Sequence, residues 1–185
     1  MTQGTGEAYK IGLPRVAPAN ARLFILGSLP GDASLGAKRY YAHATNQFWK
    51  LLGGAIGENL HALDYDARLE ALAERRIGLW DVIGSARRRG SLDQAIRAAQ
   101  HNQLAALIAD FPELEAIAFN GRAAAAIGRR MLGQAPPALT LIDLPSSSAA
   151  YTAPFATKAE RWAFLAKYCR PNSPPPLRGA AETPE

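Results

Sequence analysis

Four short apolar runs punctuate the chain: Arg22–Leu26, Gly78–Ile83, Leu114–Phe119 and Leu139–Leu144. Each has Gly, Pro or Ser close behind it, the signature of strands covered on both faces. Between the runs the apolar period lengthens to that of a helix, through 46–56, 64–76 and 121–132. Ser91-Leu-Asp-Gln94 has the form of a capping box and leads to Leu104, Leu107, Ile108 and Phe111 at i, i+3, i+4, i+7, which predicts a helical segment opening at Ser91. Thr157-Lys-Ala-Glu160 is a second such box, followed at the same spacing by Trp162, Leu165, Ala166 and Cys169. Strands alternating with helices predict an α/β protein, a three-layer α/β/α sandwich around a central four-stranded parallel sheet. Ligands of such sheets bind beyond the carboxyl ends of the strands. The residues just after each run are therefore where chemistry is expected.

Composition narrows the class. Hydrophobic residues make up 48% of the 185 and charged residues 20%, a globular mix that excludes a wholly disordered chain. Residues 1–20 are rich in Gly, Thr, Pro and Ala and read as a flexible N-terminal segment. Pro171-Asn-Ser-Pro-Pro-Pro176 opens a Pro-rich tail, 171–185, that reads as disordered and leaves one domain over 21–170. No apolar run approaches the ~18 residues of a membrane span, and no secretory pattern opens the chain. A cytoplasmic protein without a membrane partner is expected. One cysteine, Cys169, excludes an intrachain disulfide framework and a thiolate metal cluster. His43, His61 and His101 lie far apart, so neither a metal nor a cofactor is expected. The net charge is +5; the tail from Pro171 sums to −1, leaving +6 on the body. That excess suits a polyanionic partner.

Gly27-Ser-Leu-Pro-Gly31 follows the first run. It can bring backbone and hydroxyl donors close to an anion, or be an ordinary tight loop. It fits neither a Walker loop nor a dinucleotide fingerprint. Tyr40-Tyr-Ala-His-Ala-Thr-Asn-Gln-Phe-Trp49 is the most unusual stretch. Tyr41, His43 and Asn46 offer a stacking face and an amide, which is what a nucleobase needs. Phe48 and Trp49 read as core, and Asn46 suits a helix N-cap as well as a functional role. Asn120, before Gly121, ends the third run, and Ser146, Ser147 and Ser148 follow the fourth. Asp81 and Asp143 end the second and fourth strands and can orient water or cap a helix. Arg87-Arg-Arg89, Arg122, Arg129 and Arg130 read as a solvated face or as contacts to a DNA backbone.

Gly27-Ser-Leu-Pro-Gly31 and Leu144-Pro-Ser-Ser-Ser148 resemble the two signature loops of the uracil-DNA glycosylase superfamily. Tyr41, His43 and Asn46-Gln-Phe-Trp49 resemble its mismatch-specific and hypoxanthine branches, and Gly78-Leu-Trp-Asp-Val82 and Phe119-Asn-Gly121 match as well. The resemblance spans about 22–165 and is nearest to the hypoxanthine-DNA glycosylase (DNA-deoxyinosine glycosylase) branch. Most branches carry Asp or Asn where this chain has Leu29, and often His or Asn where it has Leu144. The hypoxanthine branch shares both departures and relies on the Asn that is Asn46 here. Ala44 stands where that branch usually has Pro.

The resemblance implies a monofunctional DNA glycosylase of base excision repair, acting as a monomer near the nucleoid on DNA containing deaminated bases, most of all hypoxanthine. It implies catalysis by Asn46 and base binding by Tyr41, Asn120, His43 and Ser28. Flanking phosphates would be held by Gly27, Pro30, Gly31, Ser146, Ser147 and Ser148. An Asn is no strong base, so the expected chemistry is dissociative, through a sugar cation stabilised by the DNA phosphates. No lysine lies in these motifs, so neither a Schiff base nor strand cleavage is expected. The competing readings are a uracil- or mismatch-specific glycosylase, a catalytically weak binder of damaged DNA, and a small-molecule phosphate-binding enzyme.

Overall fold

The computed structural model describes residues 7–169. In chain order the elements are β1 (Ala8–Ile11), β2 (Leu23–Gly27), α1 (Asp32–Ala37), α2 (Phe48–Ile56), α3 (Tyr65–Glu74), β3 (Ile77–Asp81), β4 (Ile83–Arg88), β5 (Ile96–His101), α4 (Leu104–Asp110), β6 (Ala116–Asn120), α5 (Arg122–Leu132), β7 (Thr140–Leu144) and α6 (Phe155–Trp162). The four apolar runs become one parallel sheet of order β3-β2-β6-β7. Period-2 alternation splits its side chains between two cores. Leu23, Ile25, Ile77, Leu79, Ala116 and Ala118 face one core, built with Phe48, Trp49, Leu72, Trp162 and Leu165. Phe24, Leu26, Ile117 and Phe119 face the other, with Leu104, Leu107, Ala124 and Ala125. Helices thus cover both faces, which is the expected three-layer arrangement.

A second sheet was not anticipated. Strands β1, β4 and β5 form a three-stranded antiparallel sheet of order β1-β4-β5. The run read as one strand over 78–83 ends at Asp81. The chain then crosses the loop after β2, with Val82 N–H on the Gly27 carbonyl (2.9 Å) and Ile83 N–H on that of Ser28 (3.0 Å), and continues as β4. The segment read as a loose N-terminus contributes β1, and Val16 bridges Leu79 behind it. The tail at 171–185 lies outside the described residues.

Neither capping box opens a helix. The Ser91 hydroxyl accepts from the backbone N–H of Asp32 (2.9 Å), and 96–101 pair with β4, so helix begins only at Leu104. Long-range pairing overrides a local propensity that favours helix in Arg97-Ala-Ala-Gln100. Thr157 lies inside α6, which starts two residues earlier, after Pro154. Among the described residues no helix is long and apolar enough to cross a membrane.

Helix α5 reaches the sheet through Gly128, where a Cβ would stand 2.2 Å from Phe119 Cε1. Gly54, on the exposed side of α2, has nothing within 4 Å of that position. Helix propensity favours Ala over Gly by about 1 kcal/mol at both sites, but overpacking a rigid ring costs about 1–3 kcal/mol. In urea unfolding, Gly128→Ala should lower the midpoint while Gly54→Ala holds or raises it.

Candidate active site

The carboxyl ends of the parallel strands meet in an open cleft of about 470 Å³. All the residues singled out from the sequence as catalytic, base-binding or phosphate-binding line it: Asn46, Tyr41, Asn120, His43, Ser28, Gly27, Pro30, Gly31, Ser146, Ser147 and Ser148. Their hydrogen bonds show which of them still have a group to offer.

The loop after β2 is held from behind. Arg88, on β4, is fully buried and donates from its guanidinium to the carbonyls of Leu29 (3.0 Å) and Pro30. Arg88 is therefore neither a solvated nor a DNA-contacting residue, although its neighbours Arg87 and Arg89 are exposed. Pro30 is buried with its carbonyl engaged, which removes it from the phosphate contacts expected of it. The Ser28 hydroxyl donates to Asp93 (2.6 Å). Leu29 is buried in the second core and Leu144 in the first.

Gly27 is required by its neighbours. A Cβ there would stand 2.6 Å from Asp81 Oδ1 and 3.3 Å from the Tyr41 hydroxyl. The parallel register pairs Gly27 with Asp81, so the carboxylate lies against the loop's first residue. Asp81 is 3% exposed, and neither its Oδ2 nor the Tyr41 hydroxyl has a hydrogen-bond partner among the described residues. Burial pushes the Asp81 carboxyl up to about 7; the Tyr40 hydroxyl pulls against that shift, Asp93 adds to it and Arg88 opposes it. Burial also raises Tyr41, with Asp81 adding to the shift, and raises Asp93 against its bond from Ser28. The floor of the cleft is thus a carboxyl and a phenol with unspent hydrogen-bonding capacity.

The Tyr41 backbone is left-handed, φ 53°, a strained state for a non-glycine residue. Its ring stacks on Phe48 at 3.6 Å and 5°. Trp49 Nε1 donates to the Tyr41 carbonyl (3.2 Å), and Phe48 and Trp49 are buried as expected of core. Asn46 Oδ1 accepts from the Phe48 N–H (2.9 Å) in an Asx turn one residue before the N-cap of α2, which is Gln47, so Asn46 is not the helix N-cap anticipated for it. Its Nδ2 bonds to no other described residue. His43 is exposed, with Nδ1 against the Thr45 hydroxyl (2.9 Å).

Asn120 is committed elsewhere. Its Nδ2 donates to the Ser147 hydroxyl (2.8 Å) and its Oδ1 accepts from the Ser147 N–H (2.9 Å), which clips the end of β6 to the loop after β7. Ser147 is fully buried and its carbonyl accepts from the Gln47 N–H (2.9 Å), so it is burial that keeps it from a phosphate. Ser146 and Ser148 accept from backbone N–H groups and keep their hydroxyl protons. Lys158, 1% exposed, donates to Gln47 Oε1 (2.9 Å) and to the carbonyls of Tyr151 (2.7 Å) and Ser148 (3.4 Å), fixing the same loop. Asp143 is exposed and paired with Arg129 (2.9 Å), away from the cleft. Among the described residues no three His, Cys, Asp or Glu side chains are placed to share a metal ion.

Asp81 was legible as the last residue of a parallel strand. Asp93, Ser91 and Leu92, which also line the cleft, were hidden by the expected helix at 91.

The uracil DNA glycosylase superfamily model matches residues 14–168. The chain is 45% identical over 113 residues to a hypoxanthine DNA glycosylase of Methanosarcina barkeri, spanning 61% of this chain and 72% of the relative. It is 44% identical over 115 residues to one of Methanosarcina acetivorans, spanning 62% and 73%. The solution NMR structure of a candidate uracil DNA glycosylase from Methanosarcina acetivorans superposes with a TM-score of 0.75 at 37% identity, covering 88% of this chain and 99% of that one.

The raised Asp81 carboxyl has a consequence for stability. The native state holds this proton up to about pH 7, whereas the unfolded chain releases it near the ordinary aspartate value of 3.8. Folding is penalised progressively as pH rises between those values, and fully above the higher one. Asp81→Asn removes the penalty. Its stability gain over the wild type should grow by about 2–3 kcal/mol between pH 5 and pH 8, read from urea unfolding at the two pH values. A gain independent of pH would show that Asp81 is ionised throughout.

Proposed function

This chain belongs to the uracil DNA glycosylase superfamily, and on that premise we propose that it hydrolyses the N-glycosidic bond of deoxyinosine in DNA, releasing hypoxanthine from an extruded nucleotide. The observation that carries the reading is the unpartnered pair at the cleft floor, the Asp81 carboxyl and the Tyr41 hydroxyl beside Gly27. Hypoxanthine presents N1–H and O6 on its pairing edge. An ionised Asp81 accepts the N–H and the Tyr41 hydroxyl donates to the carbonyl. Adenine reverses both groups and would leave two buried polar atoms unpaired, a mismatch that costs about 1–3 kcal/mol per group. The names of the two Methanosarcina relatives support the same substrate.

The hydrogen-bond inventory redistributes the roles expected from sequence. Asn120 has its carbonyl oxygen and one Nδ2 proton on Ser147, so reading of the base edge falls first to Asp81 and Tyr41. The Tyr41 ring, stacked on Phe48, holds its hydroxyl at the base edge, which takes it out of the stacking role expected from sequence. Asn46 has spent its carbonyl oxygen on Phe48 but not its NH2 protons. They donate to the charge that grows on the departing base, and water adds afterwards to the sugar cation. Phosphate contacts fall to Ser146, Ser148 and the backbone of the loop after β2. Lys158 does not line the cleft, and the reaction ends at the abasic site. The protein works as a monomer, in the cytoplasm, on DNA with deaminated bases.

A uracil-specific activity is the second reading. It is favoured by the 37% identical structural relative and by the N3–H and O4 that uracil shares with this pattern. Duplexes carrying one deoxyinosine, deoxyuridine or deoxyxanthosine, incubated with the protein and treated with hot alkali, separate the two. Cleavage at inosine should exceed cleavage at uracil; cleavage mainly at uracil would transfer the function to the second reading. Asn46→Ala should lower single-turnover release of hypoxanthine by about 100-fold or more, the usual cost of one donor to developing charge, with duplex binding nearly unchanged. Full activity in that variant would remove Asn46 from the chemistry.

A further inference from the structure

Helix α6 buries two large side chains, Lys158 and Trp162, four residues apart on one face. Trp162 Nε1 donates to the Pro145 carbonyl (3.0 Å) at the start of the loop after β7. Lys158 Nζ donates to the carbonyls of Ser148 (3.4 Å) and Tyr151 (2.7 Å) in that loop. Its third contact is the Gln47 side-chain oxygen (2.9 Å), just before α2. One ammonium thus ties two segments of the site together with all three of its protons. Every acceptor is neutral, and burial pulls the Lys158 pKa down with no carboxylate to oppose it. A buried cation without a counter-charge is a costly way to hold a fold, and an apolar side chain of similar length avoids that cost. The ion is accounted for by what it holds.

What it holds is Gln47. This residue is the N-cap of α2, yet its side chain makes no bond to the helix's own N–H groups. Gln is not among the favoured caps. The Gln47 side chain goes to Lys158 instead, and its N–H to the Ser147 carbonyl (2.9 Å), so the residue is gripped at both ends. It lies outside both cores, half-buried, whereas Phe48 and Trp49 after it are packed into one. Asn46 precedes it, with its N–H on the His43 carbonyl (2.9 Å) and its Oδ1 on the Phe48 N–H (2.9 Å). That Asx turn closes around Gln47. The direction of Asn46 Nδ2 therefore depends on how the peptide units on either side of Gln47 are oriented.

We propose that Lys158 is a positioning residue for base release, acting through Gln47 to aim the Asn46 amide into the cleft while its remaining protons fix the serine loop after β7. The inference rests on the reading of Asn46 as the donor to the departing base. Lys158 does not line the cleft and touches no reacting atom. Its effect is on geometry. A donor aimed at developing charge works because it is already in place, so a small displacement of Nδ2 lowers the rate before it lowers binding.

Two variants separate the link from the fold. Lys158→Met keeps the apolar stem and removes the three donors. Gln47→Met leaves Lys158 its two carbonyls and cuts only the connection toward Asn46, so it carries the test even where Lys158→Met does not fold. In single-turnover release of hypoxanthine from a deoxyinosine duplex, each should be slower than wild type by about tenfold to 100-fold. Duplex affinity of Gln47→Met should be unchanged. Asn46→Ala combined with Gln47→Met should be no slower than Asn46→Ala alone, because the second change acts through the first; losses that multiply would overturn the route. The side-chain amide signal of Asn46 in nitrogen–proton correlation NMR, identified by its loss in Asn46→Ala, needs no catalysis. It should move in Lys158→Met and Gln47→Met and stay in place in Gly54→Ala, on the exposed side of the same helix. A signal unmoved in both variants would overturn the proposal whatever the rates. A wild type that releases no base, with the amide signal moved in both variants, would defeat the base-removal reading and leave the positioning of Asn46 by Lys158 standing.

Discussion

The buried guanidinium of Arg88 is the constraint on which the cleft depends. A cation with no exposed surface is costly unless its hydrogen bonds and counter-charges are close. Here the carbonyls of Leu29 and Pro30 accept from its two terminal nitrogens, Nε has no partner among the described residues, and the carboxylates of Asp93, Asp32 and Asp81 hold its charge against a burial that pulls its pKa down. One side chain therefore joins the small antiparallel sheet to the loop after β2 and turns that loop's carbonyls inward. It also sets a positive charge behind an acidic floor. The crossing at Val82 and Ile83 reinforces the join through the Gly27 and Ser28 carbonyls. Without it the carboxyl end of the sheet would still exist, but its first wall would have no fixed position.

The parallel sheet was legible because its strands are short apolar runs whose pattern has no competing interpretation. Helices at 48–56, 65–74 and 122–132 were legible for the same reason, since 3.6-residue periodicity matches their buried faces. The second sheet was not. Residues 83–88 run into three consecutive arginines at 87–89, and 96–101 are helix-favouring, so neither stretch announces a strand. Their pairing is decided by partners 8–80 positions away, and Ser91 spends its hydroxyl on Asp32 instead of capping. Arg88 was indistinguishable from Arg87 and Arg89 in sequence, yet strand alternation turns it inward and its neighbours outward.

The candidate site divides along the same line. Residue types beyond the strand ends identified the cleft, because a parallel sheet gathers those ends in one place. Which of them remain available was not legible, because that depends on hydrogen bonds between loops distant in sequence. Asn120 and Ser147 illustrate the point: each offers polar groups suited to a ligand, and each satisfies the other. Leu29 and Leu144, where the superfamily often places polar groups, are filled into opposite cores. The carboxyl at this edge belongs instead to Asp81, one strand over from Gly27.

Charge and geometry together separate what the cleft can admit from what it must keep outside. Asp93, exposed at the entrance, and Asp81 on the floor, once ionised, repel a phosphate, so an anionic group is not the part of a ligand that goes deepest. A neutral heterocycle with an N–H on its edge meets no such barrier. The exposed cations on β4 and β5 hold the opposite preference and lie outside the cleft. A nucleotide approaching this surface is drawn apart along its own polarity, with its base toward the floor and its phosphates toward the rim. The same arrangement suits a reaction whose transition state places positive charge on the sugar, between an acidic floor and the phosphates held at the rim. The layout that selects an extruded nucleotide is then also the layout that stabilises cleavage of its glycosidic bond.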